Sequence, residues 1–71
     1  MKEYTVIYEW SGNNYSAYVP DLPGCVACGD TVEETERLMK EAIEMYLNAL
    51  REDGRPIPEP TTKANSILVA V

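Results

Sequence analysis

The stretch Tyr18-Val-Pro-Asp-Leu-Pro-Gly24 restricts this chain more than any other. Pro20 and Pro23 each remove a backbone donor and fix φ near −65°, so the stretch is neither helix nor central strand. Pro20 stops or edges the extended run before it. Asp21-Leu-Pro-Gly24 reads as a turn, with Pro23 and Gly24 suited to its central positions. The chain must therefore reverse here and build the rest of its fold on either side.

Ahead of the turn, Glu3 to Trp10 alternates. Tyr4, Val6, Tyr8 and Trp10 share one side, and Thr5, Ile7 and Glu9 the other, a β-strand pattern rich in aromatic and β-branched residues. Ser11-Gly-Asn-Asn14 is a hairpin turn, since Gly and Asn tolerate positive φ. Tyr15 to Val19 reads as the antiparallel return strand. After the turn, Cys25 to Gly29 reads as a short third strand.

The one long helix starts at a capping box in which Thr31 accepts from the backbone of Glu34 and Glu34 reaches back to Thr31. It is expected to run to about Asp53, with Gly54 as the left-handed terminating residue. Val32, Met39, Ile43, Tyr46, Leu47 and Leu50 form one apolar stripe, with Leu38, Met45 and Ala49 on its shoulder. The opposite face mixes Arg37, Lys40 and Arg51 with Glu33, Glu41 and Glu44, and the pairs Glu33–Arg37 and Glu36–Lys40 lie one turn apart. Arg55-Pro-Ile-Pro-Glu-Pro60 is a proline-stiffened strap leading back towards the sheet. Ser66 to Val71, uncharged and almost wholly apolar, reads as a final strand. The expected fold is α+β, in the order β-β-β-α-β: an antiparallel sheet with one helix packed on one face.

Seventy-one residues make one domain, 1–71, with a single marginal core. Apolar residues stand on both sides of the strands, and one helix covers only one face of a sheet. Leaving two or three such side chains wet forfeits several kcal/mol at about 25 cal/mol per Å². A second cover is expected, from self-association (a dimer or higher homo-oligomer) or from a protein partner.

Twelve acidic residues against six basic ones give a net charge of −6, and there is no histidine. That balance repels nucleic-acid backbones, favours a basic partner and removes the commonest general acid–base and metal ligand. No signal peptide and no apolar run near the ~20 residues of a membrane span is present, so the expected location is the cytoplasm. Cys25-x-x-Cys28 lies too far ahead of the helix for a redox pair and lacks the ligands for zinc, so both thiols read as small apolar strand residues. Glu9, Asp21 and Asp30 could in principle converge on a magnesium ion, but each has a plainer role on a strand, in a turn or ahead of the helix cap. No catalytic residue, cofactor, metal or small-molecule substrate is expected.

Taken in order, Tyr18-Val-Pro-Asp-Leu-Pro-Gly24 with Cys25, Gly29-Asp-Thr31, Glu33-Glu34, Lys40-Glu-Ala-Ile43, Tyr46-Leu47, Gly54 and Ile57-Pro-Glu-Pro60 resemble the HicB family of antitoxins over nearly the whole chain. The resemblance implies a partial ribonuclease H-like fold without nuclease chemistry. It also implies a partner: HicA, a small basic mRNA-cleaving toxin whose active site the antitoxin covers. Many family members carry a further DNA-binding domain after this one. The chain stops at Val71 without it, so no direct nucleic-acid binding is expected.

The expected partner-binding residues are Tyr18, Asp21 and Leu22, taken as exposed by the turn and offering one aromatic, one charged and one apolar group. The alternatives are an orphan, self-assembling HicB-like domain without a toxin, and a metal-dependent ribonuclease H-like nuclease.

Overall fold

The computed structural model describes all residues, Met1–Val71. Three short strands, β1 (Ile7–Trp10), β2 (Tyr15–Tyr18) and β3 (Val26–Gly29), precede one helix, α1 (Val32–Glu52). The strands form an antiparallel sheet in the order β1-β2-β3. The β1–β2 loop is closed by a Ser11 N–H to Asn14 carbonyl bond of 2.9 Å, with Gly12 at φ 106°. Only Gly12 takes positive φ there; Asn13 and Asn14 do not.

The proline stretch forms two β-turns in succession. Leu22 N–H donates to the Val19 carbonyl and Cys25 N–H to the Leu22 carbonyl, both at 3.0 Å. Pro20 and Pro23 each take the second turn position, where their fixed φ costs nothing, and Gly24 supplies the φ of 82° that the second turn needs. Val19 N–H then closes onto the Cys25 carbonyl at 3.2 Å. The three residues at the turn junctions, Val19, Leu22 and Cys25, are all buried and join Ala17 and Met39 in the core.

The helix is capped at its start by a side chain and at its end by the backbone. Thr31 Oγ1 accepts from Glu34 N–H at 3.0 Å, which is half of the expected capping box; the reciprocal bond from Glu34 is not made. At the other end Gly54 N–H donates to Arg51 and Arg55 N–H to Leu50, with Gly54 at φ 67°, a Schellman closure. Met39 is buried and Ala42, Ile43, Tyr46 and Leu47 pack on the core, whereas Met45 and Ala49 on the shoulder stay exposed. The expected ion pairs Glu33–Arg37 and Glu36–Lys40 do not form, because fixing two long exposed side chains costs entropy that a solvated pair does not recover. The pair that does form is Lys2–Glu59 at 2.7 Å.

The helix start sits hard against β3. Thr35 is fully buried and its hydroxyl donates to the Thr31 carbonyl at 2.7 Å. A Cβ at Gly29 would stand 2.6 Å from that hydroxyl oxygen and 3.1 Å from the Thr35 nitrogen. Glycine is needed here for clearance, not for φ.

Beyond the helix the strap returns towards the sheet as expected, against the residues just ahead of β1. The Tyr4 hydroxyl donates to the Pro58 carbonyl at 2.6 Å and the Thr5 hydroxyl to the Thr62 carbonyl at 2.7 Å. The final strand expected over Ser66–Val71 is not formed. These residues are exposed, pair with nothing and lie outside the sheet, so the order is β-β-β-α followed by an extended tail. Their apolar, β-branched composition marks a willingness to pair, but a strand exists only where a free edge lies within reach.

Two substitutions test this packing by urea unfolding. Leu22→Ala is expected to cost about 2–5 kcal/mol, the range for emptying a filled core position. Gly29→Ala is expected to cost about 1–3 kcal/mol by overpacking against Thr35.

Candidate functional site

Side chains alternate across a strand, so the residues facing the helix decide which ones do not. Tyr8, Ala17 and Ala27 are cross-strand partners on the helix side and contact the core. Their neighbours Ile7, Tyr18 and Val26 therefore form a row across the other face, with Ile7 paired to Tyr18 and Tyr18 to Val26. No element of the chain covers that face. Tyr18 is 41% and Val26 62% exposed, and Ile7 is half-buried. The parallel row Glu9–Ser16–Cys28 adds a carboxylate, a hydroxyl and a thiol beside it. An aromatic flanked by two aliphatic side chains and rimmed by polar groups has the composition common at protein-docking surfaces.

The three residues expected to meet a partner are separated by the structure. Tyr18 lies in the exposed row. Leu22 is 0% exposed and is the deepest side chain in the core, so its expected exposure is corrected. The turn points it inward because the two turn hydrogen bonds draw the junction residues Val19, Leu22 and Cys25 together on the core side. Asp21 is a structural anchor. Its carboxylate accepts from Thr62 N–H at 3.0 Å, from the Thr62 hydroxyl at 2.9 Å and from the Thr61 hydroxyl at 3.1 Å. These bonds, the Thr62 N–H first among them, hold the Asp21 carboxyl below the usual carboxylate range.

The remaining chemical candidates do not assemble. Glu9 lies on the open sheet face, Asp21 is bound to the strap and Asp30 precedes the helix, and no three His, Cys, Asp or Glu side chains gather closely enough to hold a metal ion. Cys25 is buried, which pushes its thiol pKa up, away from a reactive thiolate. Cys28 is exposed on the open face. Trp10 and Tyr15 stack at 4.9 Å between ring centroids, tilted by 57°, and border a notch with Asp30 and Glu33. Aromatic faces next to two carboxylates suit a basic side chain.

Val26 and Ile7 escaped sequence reading as members of one surface with Tyr18. The signal existed in the four-residue loop Ser11–Asn14 and the double turn, which together set the register of all three strands.

Residues 4–68 match the family model described as HicB_like antitoxin of bacterial toxin-antitoxin system. A UPF0150 protein of Helicobacter pylori is 40% identical over 65 residues, covering 92% of this chain and 86% of its own length. A UPF0150 protein of Synechocystis is 41% identical over 69 residues, covering 93% and 87%. Antitoxin HicB 2 of Photorhabdus laumondii is 31% identical over 65 residues, which is 92% of this chain but 47% of that protein. No solved structure matches.

The Asp21 anchor carries a pH dependence of known sign. Its folded-state pKa is depressed, so its contribution is present above the unfolded value of about 3.9 and is lost as pH falls through the folded value. The Thr62 amide proton, followed by NMR, is expected to titrate with a midpoint below that of a free aspartate. In Asp21→Ala it is expected to lie upfield at neutral pH and not to titrate.

Proposed function

The chain belongs to the HicB-like antitoxin family, and from that premise we propose that it neutralises a small basic HicA-type mRNA-cleaving toxin by laying its open sheet face over the toxin's active site. The carrying observation is the Ile7–Tyr18–Val26 row, which the chain's own helix leaves bare. Tyrosine is among the residue types enriched as interface anchors, because it buries much area for few rotatable bonds and keeps a polar tip. Tyr18 is the expected partner-binding residue that this reading retains. Asp21 supports the surface indirectly through the strap, and Leu22 supports it from the core.

The charge pattern fits the same partner. A net charge of −6 steers a basic protein towards this surface, and Glu9 stands beside the row to meet a cation at its rim. In this reading the chain works as a single cytoplasmic domain, performs no catalysis, takes no cofactor and acts on the toxin alone. No helix is long and apolar enough to cross a membrane. Self-association is a second part of the reading, favoured by the exposed C-terminal tail, and it is the part that would remain if the chain worked without a toxin.

The test is co-purification with the basic product of the adjacent reading frame, followed by titration. Tyr18→Ala with Val26→Glu is expected to weaken binding at least a hundredfold, as loss of an interface anchor does, while the urea midpoint stays near that of the parent chain. Association is expected to slow as salt rises, because the steering field is screened beyond about 8 Å at physiological ionic strength. Undiminished binding by the double variant would move the toxin to another surface.

A further inference from the structure

The chain is more extended than its mass warrants. Its accessible surface is 5578 Å². A compact protein of this mass exposes about 4,450 Å², so the excess is about 1,100 Å². Its radius of gyration is 13.8 Å, against about 11 Å for a compact chain of this length, and its longest axis is 49 Å. The excess lies at the C-terminus. Every residue from Lys63 to Val71 is exposed, with Ile67 at 77%, Leu68 at 102%, Val69 at 66% and Val71 at 121%. A standard stable interface buries about 800 Å² on each partner. The surplus surface of one chain is therefore about one chain's share of a dimer interface.

The tail lacks an edge, and the sheet has an edge that lacks a strand. Ser66–Val71 carries no charge, no proline and an unpaired backbone. β1 pairs only with β2, so its outer side is an open ladder. Natural sheets guard such edges with charge, proline or a cover, and here the tail is the one apolar extended segment left over. The returning chain already runs beside the residues that lead into β1, in the same sense as they do, since the Tyr4 hydroxyl bonds to Pro58 and the Thr5 hydroxyl to Thr62. The chain then leaves the surface beyond Ala64 instead of continuing along its own β1.

We propose that the tail of each chain completes the sheet of a second copy, with Ile67–Ala70 pairing along the outer edge of the partner copy's β1, so that the protein is a strand-exchanged dimer. A two-fold axis beside Lys63–Asn65 brings both hinges and both β1 edges to one place. Each tail then reaches the opposite edge and the contact closes on itself. A foreign strand would satisfy the β1 edge and leave the tail bare; a second copy satisfies both. β3 lies on the far side of the sheet from the hinge, so exchange onto it would not close in this way. The apolar tail also brings no charge to a partner that shares its net charge of −6. This deepens the self-association part of the reading above and is independent of the toxin.

Sedimentation equilibrium of the full chain is expected to give twice the 8.0 kDa chain mass. Leu68→Pro removes a donor and a pairing conformation from the tail without touching the core; it is expected to raise the dimer dissociation constant at least tenfold while the helical circular dichroism is unchanged. A monomer at high protein concentration would defeat both self-association and exchange. A dimer indifferent to Leu68→Pro would leave self-association standing and end the exchange. Location is read by oxidation. Glu9→Cys with Val69→Cys in a Cys28→Ser background is expected to form an intermolecular disulfide. Val69→Cys alone, with native Cys28 reporting on β3, is expected not to. The opposite pattern, or a Val69→Cys cross-link that forms only to an added toxin, would overturn the assignment.

Discussion

Leu22 is held in the core by a double turn, and most of the structure hangs from that arrangement. The two hydrogen bonds Leu22 N–H to Val19 and Cys25 N–H to Leu22 point three consecutive junction residues inward. They supply three of the five buried side chains of the core, and Met39 of the helix closes over them. The same turn presents Asp21 outward, where it takes three hydrogen bonds from Thr61 and Thr62. One seven-residue stretch thus ties the second strand to the third, seats the helix and fixes the strap. A 71-residue chain has few residues to spare for a core, so concentrating these tasks in a rigid, proline-set segment limits the entropy lost on folding.

That economy explains which parts of the fold were legible. Turns and caps are local, and their chemistry is written in the residues that make them. Pro23 with Gly24, Thr31 at the helix start and Gly54 at its end all act where their types predict. The alternation from Tyr4 to Trp10 likewise assigns each side chain to the correct face. Leu22 departs from the expectation because a turn is ordinarily a surface feature, and only the second turn stacked on the first reveals that the junction between them faces inward. Gly29 against Thr35 was invisible because the clearance depends on where a helix lands on a strand. Ser66–Val71 was read as a strand from composition, whereas pairing is a property of two segments and only one belongs to the tail.

The candidate surface follows the same division. Tyr18 was legible as an exposed aromatic next to the turn. Its companions Ile7 and Val26 were not, since they become neighbours only through the register of two separate hairpins. Once the register is known, the row is forced. If Ala17 packs against the helix, Tyr18 must face away, and so must its partners on both sides. The candidate surface is thus a by-product of core packing. Altering the inward set would disturb the outward one, which is why Ala17 and Tyr18 constrain each other.

A sheet with one helix has three kinds of unfinished surface: a bare face, two open edges and whatever tail remains. They are not interchangeable. A face is satisfied by side chains and accepts any partner of fitting shape and polarity; an edge is satisfied by backbone and accepts only a strand. The bare face here carries an aromatic, aliphatic groups and a rim carboxylate, which suits a foreign folded protein of opposite charge. The edge of β1 and the tail carry unspent backbone hydrogen bonds, and the tail has no charged side chain to select a partner, which suits a copy of the same chain. Assigning face to toxin and edge to self lets both contacts exist at once, because they occupy perpendicular sides of the sheet. A dimer built through the edges would join two sheets side by side and present two bare faces, so that each Ile7–Tyr18–Val26 row stays free. Self-association of that kind adds binding capacity without competing for it, and it removes the exposed apolar tail that would otherwise make a free monomer prone to aggregate.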